Sequence, residues 1–164
     1  MAQLIGTADI CDDYTDLVSV ALPGLKSFGG KPRAAGSIHI INIDEENSQV
    51  WRVLEQAGNN RILVVNNNAK YCAVFGDRMA TLAVENGWQA IVVNGYVRDI
   101  VIIAEMPLGL WALGACPYKC QGKELIENSA EAEFLGLTFC SGNYVYIDQD
   151  GLLLTQNKLD IEFE

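Results

Sequence analysis

The sequence predicts a mixed α/β domain built around a central strand–helix–strand unit. Two short and almost entirely apolar runs, 61–66 and 90–94, have the composition of strands that are covered on both faces. Between them, residues 77–86 have the apolar spacing of a helix, and Gly87 is a typical helix stop. An Asp-Gly pair at 150–151 between apolar runs predicts a hairpin, and therefore antiparallel strands beside the central unit.

The N-terminal part supplies a helix, a strand and a second helix. Thr7 is expected to cap a short helix that continues through 8–14. The isoleucine-rich run 37–43 is expected to form a strand. Ser48 is expected to cap a helix that ends at Gly58.

The remaining elements follow from the same patterns. The helix of the central unit is expected to turn Met79, Leu82 and Ala83 inward. Beyond the second apolar strand we expect a short helix, followed by strands: the helix at 99–105 and the strands at 110–116, 135–140, 143–148 and 152–155. The length of 164 residues fits one domain that spans 1–164.

Composition excludes several classes of protein. Eleven basic and 21 acidic residues give a net charge of −10, which disfavours direct binding of nucleic acid. The sequence has neither a membrane-spanning apolar run nor a secretory signal, so we expect a cytoplasmic protein that does not bind membranes. The odd and scattered cysteines are expected to be reduced thiols; they are Cys11, Cys72, Cys116, Cys120 and Cys140.

Three polar residues are expected to meet at one edge of the sheet. Asp77 begins the central helix, and Arg98 and Asp99 follow the second strand of the unit. Two strands joined by one helix run parallel, so both carboxyl ends emerge at the edge where open α/β sheets bind ligands. The ordinary alternative is that Asp77 is a helix cap and that Arg98 and Asp99 form a surface ion pair.

The chemistry of these residues suits a small anionic substrate. The loop 67–76 is unusually long and ends in a glycine. The N–H groups of Gly76, Asp77, Arg78 and Met79 are expected to be free at the helix start, where they favour a carboxylate. Arg98 offers a planar fork for carboxylate or enolate oxygens. Asp99, with Asp77 through water, has the chemistry to hold a hard cation such as Mg²⁺.

Several stretches resemble the RraA-like family, which comprises regulators of ribonuclease activity and 4-hydroxy-4-methyl-2-oxoglutarate aldolases. The spacing Asp77-x20-Arg98-Asp99 matches the motif that the aldolase members carry. The resemblance covers nearly the whole chain. It rests on ADICDDY (8–14), FGG (28–30), LVV (63–65), GDRMATLAVENGW (76–88), VVNGYVRD (92–99) and GLTFCSGNYVYIDQDG (136–151).

The resemblance implies a swivelling β/β/α domain, assembled as a ring-shaped homotrimer with sites near the subunit interfaces. It also implies a divalent-metal-dependent, class II type aldolase that cleaves 4-hydroxy-4-methyl-2-oxoglutarate to pyruvate and decarboxylates oxaloacetate. In such a carbon–carbon lyase, the backbone of 76–79 and the Arg98 side chain bind the pyruvyl part of the substrate. Asp99 ligates Mg²⁺ or Mn²⁺, and Asp77 reaches the cation through water.

The chain departs from the family pattern at two places. Asn66, Asn67 and Asn68 replace a glycine-rich run, and Val101 and Ile102 replace acidic residues. Both departures are expected near the crevice, where they bear on substrate preference and on activity.

Two alternatives to the lyase remain open from the sequence. The first is a non-catalytic regulator that binds and inhibits a ribonuclease of the degradosome type, because an acidic surface suits a basic partner. The second is a relict family member with neither activity. A histidine-based site has little support because His39, the single histidine, lies within a predicted strand. Cys116 and Cys120 give only a weak zinc signal without a second pair.

Overall fold

The computed structural model describes residues 4–163. Its helices are α1 (Thr7–Asp13), α2 (Ser48–Leu54), α3 (Asp77–Glu85) and α4 (Ile100–Ile103). Its strands are β1 (Ser19–Val20), β2 (Lys26–Ser27), β3 (Ala34–Asn42), β4 (Ile62–Asn66), β5 (Ala73–Phe75), β6 (Ala90–Val97), β7 (Gly109–Ala115), β8 (Glu131–Phe134), β9 (Leu137–Cys140), β10 (Tyr144–Ile147) and β11 (Leu152–Thr155).

One mixed sheet organises the molecule. Its strand order is β1-β11-β10-β3-β4-β6-β7-β2, and β5 pairs with the end of β6. The four central strands β3, β4, β6 and β7 are parallel, whereas β10, β11 and β1 continue the sheet antiparallel on one side. The predicted strand–helix–strand unit is confirmed, because β4 and β6 are parallel neighbours and α3 lies between them in the chain.

The parallel strands are buried because both faces of the sheet are covered. Every residue of β4 is buried, as its continuous apolar run predicts. One face packs on the helices through a cluster that includes Leu63, Val65 and Met79. The other face packs on the separate β8–β9 hairpin, where the rings of Phe134 and Phe139 stack at 4.4 Å.

Three asparagines lie in register across the central parallel strands, at the ends of β3 and β4 and within β6. Asn42 of β3 is paired with Asn66 of β4, which is paired with Asn94 of β6. The side-chain amide of Asn66 donates to Oδ1 of Asn42 at 2.8 Å, and that of Asn94 donates to Oδ1 of Asn66 at 2.8 Å. This asparagine ladder (Asn42, Asn66 and Asn94) satisfies polar side chains that are largely buried at the carboxyl edge of the sheet.

The predicted helix caps are wrong at Thr7 and Ser48, each of which is the first residue of its helix. The N-cap residues are Gly6 and Asn47. Thr7 instead uses its hydroxyl and its N–H to donate to the carboxylate of Asp148, at 2.7 and 2.8 Å. This pair of bonds fixes the start of α1 to the end of β10, so the threonine serves tertiary packing rather than local capping.

Four short strands were not predicted, and one predicted strand is shorter than expected. β1, β2, β5 and β8 have only two to four residues each. β9 begins at Leu137, because Leu135 (φ 50°) and Gly136 (φ 75°) form the turn of the β8–β9 hairpin.

The hairpin predicted around Gly151 is confirmed between β10 and β11. In α3, Met79 and Ala83 are buried as predicted.

Candidate active site

The topology brings the three predicted polar residues to one pocket. Asp77 is the first residue of α3, and Arg98 and Asp99 lie between β6 and α4. β5 pairs with the end of β6, and the N–H of Arg98 donates to the carbonyl of Phe75 at 3.0 Å. The two loops are therefore held side by side by backbone pairing.

Asp99 connects the two loops through its carboxylate. Its backbone is left-handed, with φ 61° and ψ 33°, a conformation in which Asp and Asn are enriched among non-glycine residues. Its carbonyl accepts from the N–H groups of Ile102 and Ile103 at 3.1 Å each, which starts α4. Its Oδ2 accepts from the N–H of Asp77 at 3.1 Å. The Asp99 carboxylate thus lies at the positive end of α3.

Gly76 is required by this close approach. A Cβ at position 76 would lie 2.7 Å from Oδ2 of Asp99, which is closer than real Cβ contacts allow. The glycine that ends the long loop therefore leaves the space that the carboxylate occupies.

The amides at the start of α3 are only partly free. The prediction that the Asp77 N–H is free is wrong, because Asp99 accepts from it. Within residues 4–163, the N–H groups of Gly76, Arg78 and Met79 have no hydrogen-bond acceptor, and all three residues line the pocket. Three helix-end donors, two of them on α3 itself, therefore remain for an anionic ligand.

Arg98 is half-buried and held at the edge of the pocket. Its Nη1 lies 3.5 Å from the carbonyl oxygen of Pro117, which belongs to the segment after β7. Among the described residues 4–163 this long contact is the one hydrogen bond of the Arg98 side chain, so most of the guanidinium donors are available. Arg98 and Asp99 also line a second shallow depression with Pro117, adjacent to the first.

The pocket has a volume of about 120 Å³ and includes residues that the sequence did not predict. Asn47 and Trp51 come from the start of α2, and Lys119 comes from the segment that follows β7. Lys119 was predictable in principle, because β7 is a further parallel strand whose carboxyl end emerges at the same edge. Two arginines and a lysine thus face two aspartates, a balance that favours an anionic ligand.

The two departures from the family pattern lie outside this pocket. Asn66 belongs to the asparagine ladder on the hairpin side of the sheet, and Asn67 accepts from the N–H of Glu45 at 2.8 Å. Val101 and Ile102 are 82% and 52% exposed on α4. None of these residues therefore lines the pocket of a single chain.

The expectation of reduced thiols is wrong at two positions. Cys72 and Cys120 form a disulfide, with their Cα atoms 4.9 Å apart. Their segments meet because Ala73 pairs with Lys119 in a short parallel bridge. Cys11, Cys116 and Cys140 are free, and Cys116 is buried, as expected of a structural thiol.

His39 lies in β3, as predicted, next to the ring of Trp88 at 6.5 Å between centroids. Burial, followed by the nearby charge of Arg61, lowers the pKa of this imidazole below its usual 6.5. Its place in the sheet gives it a packing role.

The donor set at the pocket suits a hard divalent cation. Within residues 4–163, no three or more His, Cys, Asp or Glu side chains form a ready-made metal centre. Mg²⁺ needs only one or two carboxylates, because it keeps several waters and shares oxygens of the substrate. Asp99 gives one oxygen to the Asp77 amide and has Oδ1 left for a cation, and the Asp77 carboxylate lines the same pocket.

The carboxyl edge of the parallel sheet carries a polar pocket that is lined by two aspartates, an arginine and free helix amides. These features define a class of small α/β domains. A family model described as RraA-like, Aldolase/RraA, matches residues 7–154. The chain belongs to the RraA-like family. None of its helices within residues 4–163 has both the length and the apolar character needed to cross a membrane.

Individual relatives agree with this assignment. A protein of Laribacter hongkongensis (strain HLHK9), named "Putative 4-hydroxy-4-methyl-2-oxoglutarate aldolase", is 40% identical over 93% of this chain and 97% of its own. The RNA-processing inhibitor RraA from Thermus thermophilis has a TM-score of 0.89 and 32% identity, covering 98% of this chain and 99% of that one. A Geobacillus kaustophilus protein described as S-adenosylmethionine:2-dimethylmenaquinone methyltransferase has a TM-score of 0.90 and 33% identity, covering 94% and 97%.

Proposed function

We propose that the protein is a divalent-metal-dependent aldolase that cleaves 4-hydroxy-4-methyl-2-oxoglutarate to two molecules of pyruvate and decarboxylates oxaloacetate. The observation that carries the proposal is the convergence of Arg98, the Asp99 carboxylate and two free amides of α3 on one pocket. The name of the Laribacter hongkongensis relative supports the same reaction. Asp99, assisted by Asp77, would hold Mg²⁺ or Mn²⁺, which supplies Lewis-acid polarisation of the 2-oxo group.

Different groups of the protein bind the substrate and stabilise the charge that develops on it. The N–H groups of Arg78 and Met79 bind the carboxylate beside the 2-oxo group. Asp77 accepts the proton of the 4-hydroxyl group through a water, the bond between C3 and C4 breaks, and its electron pair moves into the 2-oxo group. Arg98 stabilises the pyruvate enolate that results, because its donors face the oxygen on which charge develops. The proton taken up by Asp77 then returns through the water to C3, which completes the second pyruvate. Decarboxylation of oxaloacetate forms the same enolate.

Lys119 fits the second carboxylate of these substrates. Both are diacids, and the amides and Arg98 account for only the pyruvyl end. Lys119 is exposed at the rim of the pocket, on the segment that follows β7. We assign it to the distal carboxylate of the substrate.

A pyruvate assay tests the lyase directly. Purified protein is incubated with oxaloacetate or 4-hydroxy-4-methyl-2-oxoglutarate and Mg²⁺ or Mn²⁺, and pyruvate is followed with lactate dehydrogenase. We expect EDTA to abolish turnover and added metal to restore it. If the protein forms no metal-dependent pyruvate from either substrate, the lyase proposal is wrong.

Variants separate the roles of Arg98 and Asp99. Arg98→Ala is expected to lower kcat about 10²- to 10³-fold, as loss of an enolate donor does. Asp99→Asn keeps a residue that tolerates the left-handed backbone but removes the charge, so it is expected to abolish metal-dependent turnover while the protein remains folded. Arg52→Ala, on the exposed side of α2, is the matched control and should retain activity. Full activity in either site variant would overturn its assignment.

We further propose that the chain assembles as a homotrimer. Val101 and Ile102 expose apolar side chains on α4, directly after the site residues. Burial of such side chains between copies would enclose the open side of the pocket. Sedimentation equilibrium should give three times the 17.9 kDa of a single chain, whereas a species of 17.9 kDa contradicts the assembly.

Regulation of a ribonuclease is the second candidate function. Two observations favour it, the net charge of −10 and the structural similarity to the RNA-processing inhibitor from Thermus thermophilis. An acidic surface is complementary to a basic, RNA-binding partner. We expect binding to a degradosome ribonuclease at micromolar concentration that weakens as salt is raised. No binding at that concentration would reject this candidate and leave the lyase untouched.

A further inference from the structure

The Cys72–Cys120 disulfide ties together two segments that line the candidate active site. Cys72 directly precedes Ala73, the first residue of the pocket-lining β5, and Cys120 directly follows Lys119. The bond therefore lies within one residue of the pocket on both segments. It closes 48 residues of chain that include Arg98 and Asp99.

Lys119 owes its position to very few contacts. The N–H of Ala73 donates to the carbonyl of Tyr118 at 2.7 Å, and the N–H of Cys120 donates to the carbonyl of Ala73 at 3.0 Å. Lys119 lies between these two backbone bonds, and the disulfide clamps the same place covalently. The side-chain hydrogen bonds to this segment are long: Nε2 of Gln121 lies 3.3 Å from the carbonyl oxygen of Lys119, and Nη1 of Arg98 lies 3.5 Å from that of Pro117.

We propose that Cys72 and Cys120 form a thiol–disulfide switch that sets the position of Lys119 and so the affinity of the site for diacids. The role of Lys119 rests on the proposed function, whereas the switch itself is a property of the two segments. In the oxidised protein the segment 117–120 at the rim of the pocket is fixed, and Lys119 faces the distal carboxylate of the substrate. In the reduced protein the segment 117–120 is held by hydrogen bonds alone, of which the two backbone bonds with Ala73 lie nearest to Lys119, and Lys119 moves over a wider range.

The reduction is a two-electron exchange with a small dithiol. One thiolate of the dithiol attacks Sγ of Cys72, which forms a mixed disulfide and releases Cys120 as a thiolate that takes up a proton. The second thiol of the reductant then attacks the reductant sulfur that is bonded to Cys72, and Cys72 leaves as a thiol. The dithiol becomes a cyclic disulfide, so atoms and electrons balance, and a small disulfide such as oxidised glutathione reverses the reaction.

The surroundings favour Cys120 as the leaving sulfur. The side-chain amide of Asn67 lies 3.7 Å from Sγ of Cys120 and donates to it, so it can stabilise negative charge that develops on that sulfur as it leaves, whereas Oε1 of Glu45 lies 3.6 Å from Sγ of Cys72. Both cysteines are buried, at 3% and 7% exposure, but Tyr71 beside Cys72 is 69% exposed. A reductant therefore needs only a local opening of the surface loop, not unfolding of the sheet.

Counting thiols tests whether the bond forms. The full-length protein is treated with oxidised glutathione, denatured, and labelled with iodoacetamide before mass measurement. Three labels are expected in the oxidised protein, on Cys11, Cys116 and Cys140, and five are expected after treatment with dithiothreitol. Five labels after the oxidising treatment would overturn the proposal, because no bond would then exist to act as a switch.

Hydrogen exchange tests the structural effect without any ligand. Reduction is expected to speed exchange of the Ala73 and Cys120 amides, while amides of β4 stay protected. The variant Cys72→Ser/Cys120→Ser should exchange at the rates of the reduced protein, and dithiothreitol should not change those rates. In the control variant Cys140→Ser, reduction should change the rates as it does in the wild type. Unchanged exchange at both amides on reduction contradicts the switch, even if the lyase assay succeeds. If the double variant does not fold, the comparison of oxidised with reduced wild type still decides.

Substrate kinetics test the functional effect. Reduction is expected to raise KM for oxaloacetate about two- to fivefold, because the contact that loosens is a solvent-exposed ion pair. Lys119→Gln should show the same increase in both redox states, and Lys123→Gln, outside the pocket, should behave as the wild type. Equal KM in both states would overturn the link to Lys119. Absence of pyruvate in both states would reject the proposed function alone, since the exchange measurement stands independently.

Discussion

At the scale of single residues, Gly76 and Asp99 depend on each other. The left-handed backbone of Asp99 turns its carboxylate toward the start of α3, and the missing Cβ of Gly76 gives that carboxylate room. One oxygen then binds the Asp77 amide. The Asp99 carboxylate that is proposed to bind the metal, its hydrogen bond to the start of α3 and Gly76 therefore form one local arrangement. A change in any of them disturbs the others.

Gly76→Ala is the sharpest test of that arrangement. The added methyl would lie 2.7 Å from Oδ2 of Asp99, so the carboxylate must shift. If the Asp99 carboxylate holds the metal as proposed, its displacement by about 1 Å lowers turnover about 10²-fold, and we expect that loss in the pyruvate assay. Gly6→Ala is the matched control, because Gly6 also caps a helix in extended conformation but its Cβ would meet nothing closer than 3.5 Å. Full activity of Gly76→Ala would contradict the arrangement.

His39 gives the protein a pH-dependent stability. Burial and then Arg61 lower the pKa of His39 in the folded state, so the unfolded chain binds more protons just below pH 6.5. Stability is therefore complete above about pH 6.5 and falls as the pH drops below it. Urea unfolding at pH 7.5 and 5.5 should show the decrease, and His39→Gln should reduce it. An equal decrease in the variant would assign the effect to other groups.

At the scale of elements, the attachment of α1 depends on one half-buried carboxylate, that of Asp148. Burial alone would raise the pKa of Asp148, but the hydrogen bonds from the N–H and hydroxyl of Thr7 and from the amides of Asp150 and Gly151 outweigh it and lower the pKa. The stability that Asp148 contributes is thus present above its ordinary pKa of 3.8 and lost as pH falls through the lower folded value.

Thr7→Val removes the hydroxyl and keeps the shape of the side chain. We expect the free energy of unfolding to fall by about 2 kcal/mol, in the range for a hydrogen bond to a charged group. The pKa of Asp148, followed by NMR, should rise at the same time. Thr15→Val removes an exposed hydroxyl that bonds to the carbonyl of Cys11, and it should change stability by no more than about 0.5 kcal/mol. Equal effects of the two variants would refute the role of Thr7.

The sequence predicted long elements better than short ones. β4 and β6 carry continuous apolar runs, so their burial and parallel pairing were predictable. β5 has three residues and pairs only because β6 is already in place, and β8 carries two glutamates that lower its strand propensity. Such strands depend on tertiary context, which a single sequence does not contain.

The same distinction applies to the candidate site. The meeting of Asp77, Arg98 and Asp99 follows from parallel topology and was predictable. The capping of α3 by Asp99 depends on a left-handed residue, which sequence pattern does not specify. The carboxyl end of β7 indicates the edge of the sheet at which Lys119 lies. Its place in the pocket and the Cys72–Cys120 pair depend on where the loop after β7 lies, which spacing does not specify.

At the scale of the whole molecule, the disulfide adds stability beyond its local role. It constrains an unfolded loop of 48 residues, which in the chain-entropy model corresponds to about 4 kcal/mol. Calorimetry with and without dithiothreitol should therefore show a lower melting temperature on reduction, by about 10 °C for a domain of this size. The variant Cys72→Ser/Cys120→Ser should melt at one temperature in both buffers. No shift in the wild type would show that the cross-link does not stabilise the fold.

The asparagine ladder restricts how the central strands can assemble during folding. Side chains alternate between the two faces, so a slip of one residue between β3, β4 and β6 would move an asparagine from the hairpin side into the apolar layer beneath the helices. A buried amide without its partner destabilises such a state. Continuous apolar strands lack this discrimination, because nearly every register buries similar side chains. The three amides therefore act against misaligned folding intermediates.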